Sequence, residues 1–344
     1  MRFPFTARQT RPALMIFLCA VFQPLWAAEP QSAAPAQKSL PNRLNLSEWE
    51  VPWRGRPRDP YVGADGDIWF CGQSGNYLGR FGPKSGIFKK FKLPEGAHPH
   101  SLVVDVKNRV WYAGNRSAHI GRLDPDTGKI KQFKLPAELR DPHTLVFNKV
   151  GNIWFTAQNS NRIGLLDTKT GKVLSVAPAT AGARPYGIKL DAEERPWVAL
   201  FGTNKLAHID PETMALREVE LPRADARPRR LEIDRSGNVW YVDYAEGYLG
   251  RYVPTTGAFT EWRLPGESPR PYGTALDDHG RLWIADTGVI PNRILGFDTA
   301  TEKFFSASPV PSGGNIRYMY FDPKGGSFWF GVDSGFLAQG QPRK

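Results

Sequence analysis

"YGIKLDAEERPWVALFGTNKLAHIDPETMALREVELP" occupies residues 186–222 and is one copy of a unit that recurs along the chain. It parses into four short strands. "YGIKL" (186–190) is the first, and "DAEER" turns the chain into "PWVAL" (196–200). "KLAHI" (205–209) is the third. A reversal of the "DPDTG" (124–128) type follows, in which Asp and Gly supply the backbone angles of a tight turn. "REVELP" (217–222) closes the unit. β-branched and aromatic runs bounded by turn residues read as strands. The tryptophan of the second strand recurs at Trp69, Trp111, Trp154, Trp197, Trp240, Trp283 and Trp329, with spacings of 42, 43, 43, 43, 43 and 46. Four strands in about 43 residues is the pattern of a propeller blade. Seven tryptophans predict an all-β, seven-bladed β-propeller.

The ends of the repeat predict how the ring closes. The seventh unit stops after "GFLAQG" (335–340) without a fourth strand, and "LSEWEVP" (46–52), ahead of the first unit, matches the missing one. Trp49 then stands where Phe91, Phe133 and Trp262 stand in other units. An N-terminal strand completing blade seven removes exposed strand edges and ties the termini together.

Residues 1–27 read as a secretory signal peptide. Arg2, Arg8 and Arg11 precede the apolar run "ALMIFLCAVFQPLW" (13–26), and "LWA" (25–27) offers a small-residue cleavage site. Residues 28–44, rich in Pro, Ala, Ser and Gln, read as a flexible linker. The propeller is expected over 45–340, with a short tail over 341–344. This predicts a periplasmic or secreted protein with no membrane span in the mature chain. Cys19 leaves with the leader and Cys71 remains alone, so no internal disulfide is expected. The formal charge of +11 falls to +8 without the leader arginines, which favours anionic partners. No dense basic run or nucleic-acid motif is present, so nucleic-acid binding is not expected.

One phrase opens the first strands: "RPYGI" (184–188), "HPHSL" (98–102), "DPHTL" (141–145), "RPRRL" (227–231), "RPYGT" (270–274) and a shorter "DPYVG" (59–63). First strands line the channel of a propeller. The residues after proline, Tyr61, His100, His143, Tyr186, Arg229 and Tyr272, with Arg317 as the match in blade seven, are therefore expected at one mouth. Those before it are Asp59, His98 and Asp141 on one side and Arg184, Arg227 and Arg270 on the other. Arginine forks match carboxylate, phosphate or sulfate. A histidine beside an aspartate is a base near neutral pH. This makes His100 or His143 the candidate base with Asp141 orienting it, and makes Arg184, Arg229 and Arg270 the candidate clamp. The alternative role of each arginine is blade-to-blade hydrogen bonding. Asp243 and Asp286, three residues after their tryptophans, are candidates for a hard cation. "DTGVIPNR" (286–293) carries two extra residues that can form a lip over the pocket.

The unit pattern P-Y/H-G-I…D…G…W-F…N-x-I-G-R-L-D, over residues 45–340, resembles the virginiamycin B lyase (streptogramin B lyase) family, and more distantly NHL-repeat and gluconolactonase-type propellers. The resemblance implies a carbon–oxygen lyase that opens a cyclic depsipeptide by elimination, with magnesium and a histidine base. The family's motif sits on blades two and three as His100, Asp141 and His143, with Ala157 where a glutamate is expected. On blades five and six it falls on Arg229, Arg270, Tyr272 and Asp286. Neither placement is complete. Two classes of function follow: a lyase acting on an acidic or peptide-like small molecule, and a non-catalytic module binding a ligand or an exported protein at the same mouth.

Overall fold

The computed structural model describes residues 39–343; the expected signal peptide and most of the expected linker lie outside the described residues. Among the described residues the structure is strands and turns, twenty-eight strands in seven four-stranded sheets. Each sheet is an antiparallel meander. Blade four is β14 (Pro185–Leu190), β15 (Pro196–Leu200), β16 (Lys205–Ile209) and β17 (Leu216–Glu220), strand for strand as the repeat predicts. The other first strands are β2 (Pro57–Val62), β6 (Pro99–Val104), β10 (Pro142–Phe147), β18 (Pro228–Ile233), β22 (Pro271–Leu276) and β26 (Ile316–Asp322). Each touches the next and β26 touches β2, so the seven enclose a central channel.

Blade seven is β26, β27 (Ser327–Val332), β28 (Phe336–Pro342) and β1 (Leu44–Glu50). β1 runs antiparallel to β28 from Leu44 opposite Pro342 to Glu50 opposite Phe336. Trp49 stacks on Trp329 with centroids 5.5 Å apart, as Trp262 does on Trp240 at 5.5 Å and Phe133 on Trp111 at 5.3 Å. The ordered ring extends a few residues past the expected boundaries. Pro41 accepts from the Ala307 amide at 3.0 Å, and the Arg343 amide donates to the Arg43 carbonyl at 2.9 Å.

The repeated tryptophans form the seams between blades. Trp240 packs with Leu282, Ile284 and Phe297 of blade six, and Trp329 with Ile68, Phe70 and Phe81 of blade one. Burying an aromatic of this size contributes about 4–6 kcal/mol as an upper figure. An aspartate six residues upstream holds the indole in four blades. Asp277 accepts from Trp283 Nε1 at 2.9 Å and from Arg281 Nε at 2.7 Å, while its other oxygen caps the turn amides of His279 and Arg281. Asp105, Asp191 and Asp234 bond their tryptophans at 3.0, 3.2 and 2.8 Å. In blade one Gly63 stands there, and the Trp69 indole N–H is buried without a partner. Asp277→Ala strips the indole and Arg281 of their acceptor, with an expected cost of about 1–3 kcal/mol. Urea denaturation reads this as a lower midpoint, and an unchanged midpoint would show that the latch carries no stability.

Candidate functional site

In blades two to seven the pairing of first and second strands slips directly after the entry residue, as between Pro185 and Ile188 or Pro271 and Thr274. A bulge of this kind re-aims a side chain, here the one after proline. Blade one corrects the sequence reading. Tyr61 pairs with Trp69 as Lys189 pairs with Trp197, so its copy of the phrase is "RPRDP" (56–60) and not "DPYVG" (59–63). Pro57 and Pro60 both fit the phrase, and only strand pairing separates them. Arg58 therefore joins the mouth, Asp59 lies one residue deeper, and Tyr61 sits at the other end of the channel.

The mouth ring is thus Arg58, His100, His143, Tyr186, Arg229, Tyr272 and Arg317. The His100 and His143 ring centroids are 3.6 Å apart, and His143 and Tyr186 are 4.2 Å apart. The Tyr186 and Tyr272 hydroxyls hydrogen-bond across the channel. The Arg229 guanidinium lies 3.6 Å from the Tyr272 ring centroid, 4.3 Å from Tyr244, 4.6 Å from Phe201 and 5.1 Å from Tyr186. Its Nε is buried without a hydrogen-bond partner, and no carboxylate reaches it among the described residues. Arg317 is neutralised by Asp333, its Nε donating at 3.1 Å.

Four expected residues do other work. Arg227 folds back to the carbonyls of Ala224 and Ala226. Arg184 and Arg270 stay exposed at the rim, stacked on Phe201 and Tyr244. Asp141 does not orient His143; it accepts the Asn159 and Ser160 amides and the Ser160 hydroxyl, and the histidine Nδ1 pairs with Thr144 Oγ1 at 2.9 Å. The "DTGVIPNR" segment bonds Arg270 through Thr287 and the Val310 amide through the Asn292 carbonyl, with Ile290 exposed at its tip. It braces the rim. Sequence reasoning passed over Phe201, Tyr244 and Asp333, which stand four residues after their tryptophans. That offset was the signal available.

One residue deeper, Arg230 crosses the channel. It reaches Thr144 Oγ1 at 3.1 Å, the Arg317 carbonyl at 3.3 Å and Asp59 Oδ2 at 3.6 Å. Arg58 donates to Asp59 at 2.9 Å and to Gln73 at 3.0 Å, leaving its Nη2 buried and unpartnered. These cations set the proton chemistry. Burial first, then Arg58 and the other nearby positive groups, hold His100 well below the usual imidazole range; burial and then Arg230 and Arg58 do the same to His143. Burial opposes ionisation of Tyr272, but Arg229, Arg58, Arg230 and Arg317 overcome it and draw the phenol down to about 8. Tyr186 is raised by burial and by its neighbour Tyr272.

The magnesium that the resemblance implies needs several oxygen ligands. Asp243 and Asp286 are fully buried and already committed. Asp243 holds the Arg227 amide and Arg223, and Asp286 holds the Arg270 amide and Arg293. No three His, Cys, Asp or Glu side chains gather as a metal site among the described residues. With arginines around the channel, these residues do not fit a resident hard cation.

Fold and site define a seven-bladed propeller with a cationic, aromatic-lined channel mouth barred at mid-depth by arginine. The chain belongs to the virginiamycin B lyase family, whose model matches residues 23–291. Among solved structures it is similar to virginiamycin B lyase from Staphylococcus aureus, with a TM-score of 0.79 and 23% identity over 87% of this chain and 99% of that one. It is similar also to a catalytically inactive form of the S. aureus enzyme with quinupristin, at TM-score 0.79, 23% identity, and 87% and 99% coverage. A third is the extracellular domain of a one-component system from B. thetaiotaomicron, at TM-score 0.67 and 16% identity over 84% of this chain and 41% of that one. No curated protein matches the chain in sequence.

The lowered Tyr272 phenol has a stability consequence. Its folded pKa lies below the unfolded value, so its contribution is present above about pH 10 and is lost as pH falls through about 8. Difference absorbance should show a phenol ionising near pH 8 that disappears in Tyr272→Phe. The stability gap between the proteins should widen in favour of the native chain from pH 8 to 10. A first phenol transition only near pH 10 would contradict this.

Proposed function

We propose that this protein is an exported carbon–oxygen lyase that acts on an anionic or peptide-like ester at the mouth ringed by Arg229 and Tyr272. Arg229, caged by four aromatic rings and lacking a carboxylate partner, is the observation that carries the reading. A guanidinium placed there receives a substrate carboxylate or the carbonyl next to the acidic carbon. Tyr272 then removes the α-proton. The C–H electron pair becomes the carbon–carbon double bond, the β C–O bond breaks, and the leaving carboxylate departs with that bond's electrons. Arg58, with its unpartnered Nη2, is the cation available to it.

The base thus shifts from the imidazoles to the phenol. His100 and His143 are neutral at physiological pH but too weakly basic to gain driving force, whereas a phenol near 8 is matched to the task. Export rests on the leader pattern of residues 1–27. The second reading, non-catalytic binding at this mouth, is supported by the departures from the family motif at Ala157 and Arg270.

A panel of cyclic depsipeptides and acyloxy acids tests the assignment by mass spectrometry. Elimination opens a cyclic ester to a product of unchanged mass, whereas hydrolysis adds one water. Tyr272→Phe should cut kcat at least about 10²-fold while ligand affinity holds, and Arg229→Gln should weaken binding about tenfold or more. In the native enzyme kcat/KM should rise tenfold per pH unit and level off near 8. Hydrated products, or full turnover by Tyr272→Phe, would overturn the assignment. Binding without turnover in the native protein would establish the second reading.

A further inference from the structure

The channel has a second end. On the far side of the Arg230 bar lies a cavity of about 390 Å3. The first-strand residues paired with the blade tryptophans converge there, among them Tyr61, Lys189, Glu232 and Tyr320. Lys189 Nζ is 2.8 Å from one Glu232 oxygen, and the other accepts from Thr274 Oγ1 at 3.1 Å. Both carboxylate oxygens are engaged and the pair is neutral as a unit. An ammonium has three donors, and Lys189 spends one on Glu232 while its side chain stays 32% exposed. The Tyr61 and Tyr320 rings pack with centroids 4.3 Å apart and form one wall, and Phe147, Tyr318 and Phe321 add further rings to the lining.

The result is a concave, aromatic and aliphatic chamber that offers hydrogen-bond donors without net charge. An anionic ligand meets a lysine already neutralised, and a cationic one finds no free carboxylate. We propose that this lower cavity binds a small uncharged ring compound bearing a carbonyl acceptor, such as an aromatic lactone or amide. The ring lies against Tyr61 and Tyr320, and the carbonyl accepts from Lys189. The volume lies within the range of small-molecule sites. The Asp59 and Arg230 layer separates this chamber from the upper mouth, so the proposal stands apart from the lyase assignment.

Coumarin fluorescence tests it on the full chain, with benzamide and benzoate as competitors. Coumarin should bind saturably, benzamide should displace it, and benzoate should compete at least about tenfold less well. Ala275→Phe, which fills the chamber, should weaken binding at least tenfold. Lys189→Met/Glu232→Gln removes the donor without stranding a charge and should weaken it three- to tenfold, the worth of about one hydrogen bond. Arg229→Gln, at the other mouth, should leave it unchanged. No saturable binding up to the solubility limit of coumarin, equal competition by benzoate, or undiminished affinity in the Lys189→Met/Glu232→Gln protein would overturn the proposal. That last reading stands even if Ala275→Phe fails to fold.

Discussion

The pairing of β1 with β28 is the contact on which the rest of the molecule depends. Blades one to six are continuous in sequence, but blade seven is three strands from one end of the chain and one from the other. Without β1, β28 is an open edge, and Trp329 loses Trp49 from its face. The channel mouth is built from all seven first strands, so its distances hold only while the ring is closed. The Tyr186–Tyr272 contact and the reach of Arg230 to blades one, three and seven each need strands far apart in sequence to keep fixed places. Closure therefore supports both the fold and the site.

The ring, the blade count and the closing strand were legible because each rests on local periodicity: a tryptophan every 43 residues and a fourth strand missing from one end. The mouth residues of blades two to six were legible for the same reason, since proline marks their entry, and Arg317 of blade seven follows from its place in the repeat although Ile316 replaces the proline. Blade one was misread where proline gives two registers, and only the pairing of Tyr61 with Trp69 resolves them. The partners of each side chain were not legible. Asp141 beside His143 in sequence suggests a dyad, yet the bulge sends the aspartate to the amides of residues 159 and 160 and the imidazole to Thr144. Arg227 reads like Arg184 and Arg270 but turns back onto its own loop. These partners lie within the same blade or its entry loop, and the backbone geometry at the bulge and the entry turn chooses among them, which the residue pattern alone does not record.

The channel is graded along its length. At the upper mouth, arginines outnumber the carboxylates that meet them, and Asp59 and Asp333 are the ones engaged. Burial first, and then this surplus, hold both histidines well below the usual imidazole range, and the surplus overcomes burial to draw Tyr272 down to about 8. The lower chamber is balanced by Lys189 and Glu232. Family membership establishes the scaffold. The chemistry at the mouth is this chain's own, because arginine and tyrosine stand where the family motif has carboxylate and imidazole on blades five and six.

The most direct test of the Arg229–Tyr272 account is the pH dependence of anion binding. Affinity for a small dicarboxylate should be measured by calorimetry from pH 6 to 10 on the native protein and on Tyr272→Phe. A phenolate offsets part of the Arg229 charge without excluding the ligand. Native affinity should therefore stay level to about pH 8, fall several-fold as the phenol ionises and level off again, while the Tyr272→Phe protein stays level throughout. A native affinity that is flat across the whole range, or a fall that persists in Tyr272→Phe, would contradict the account.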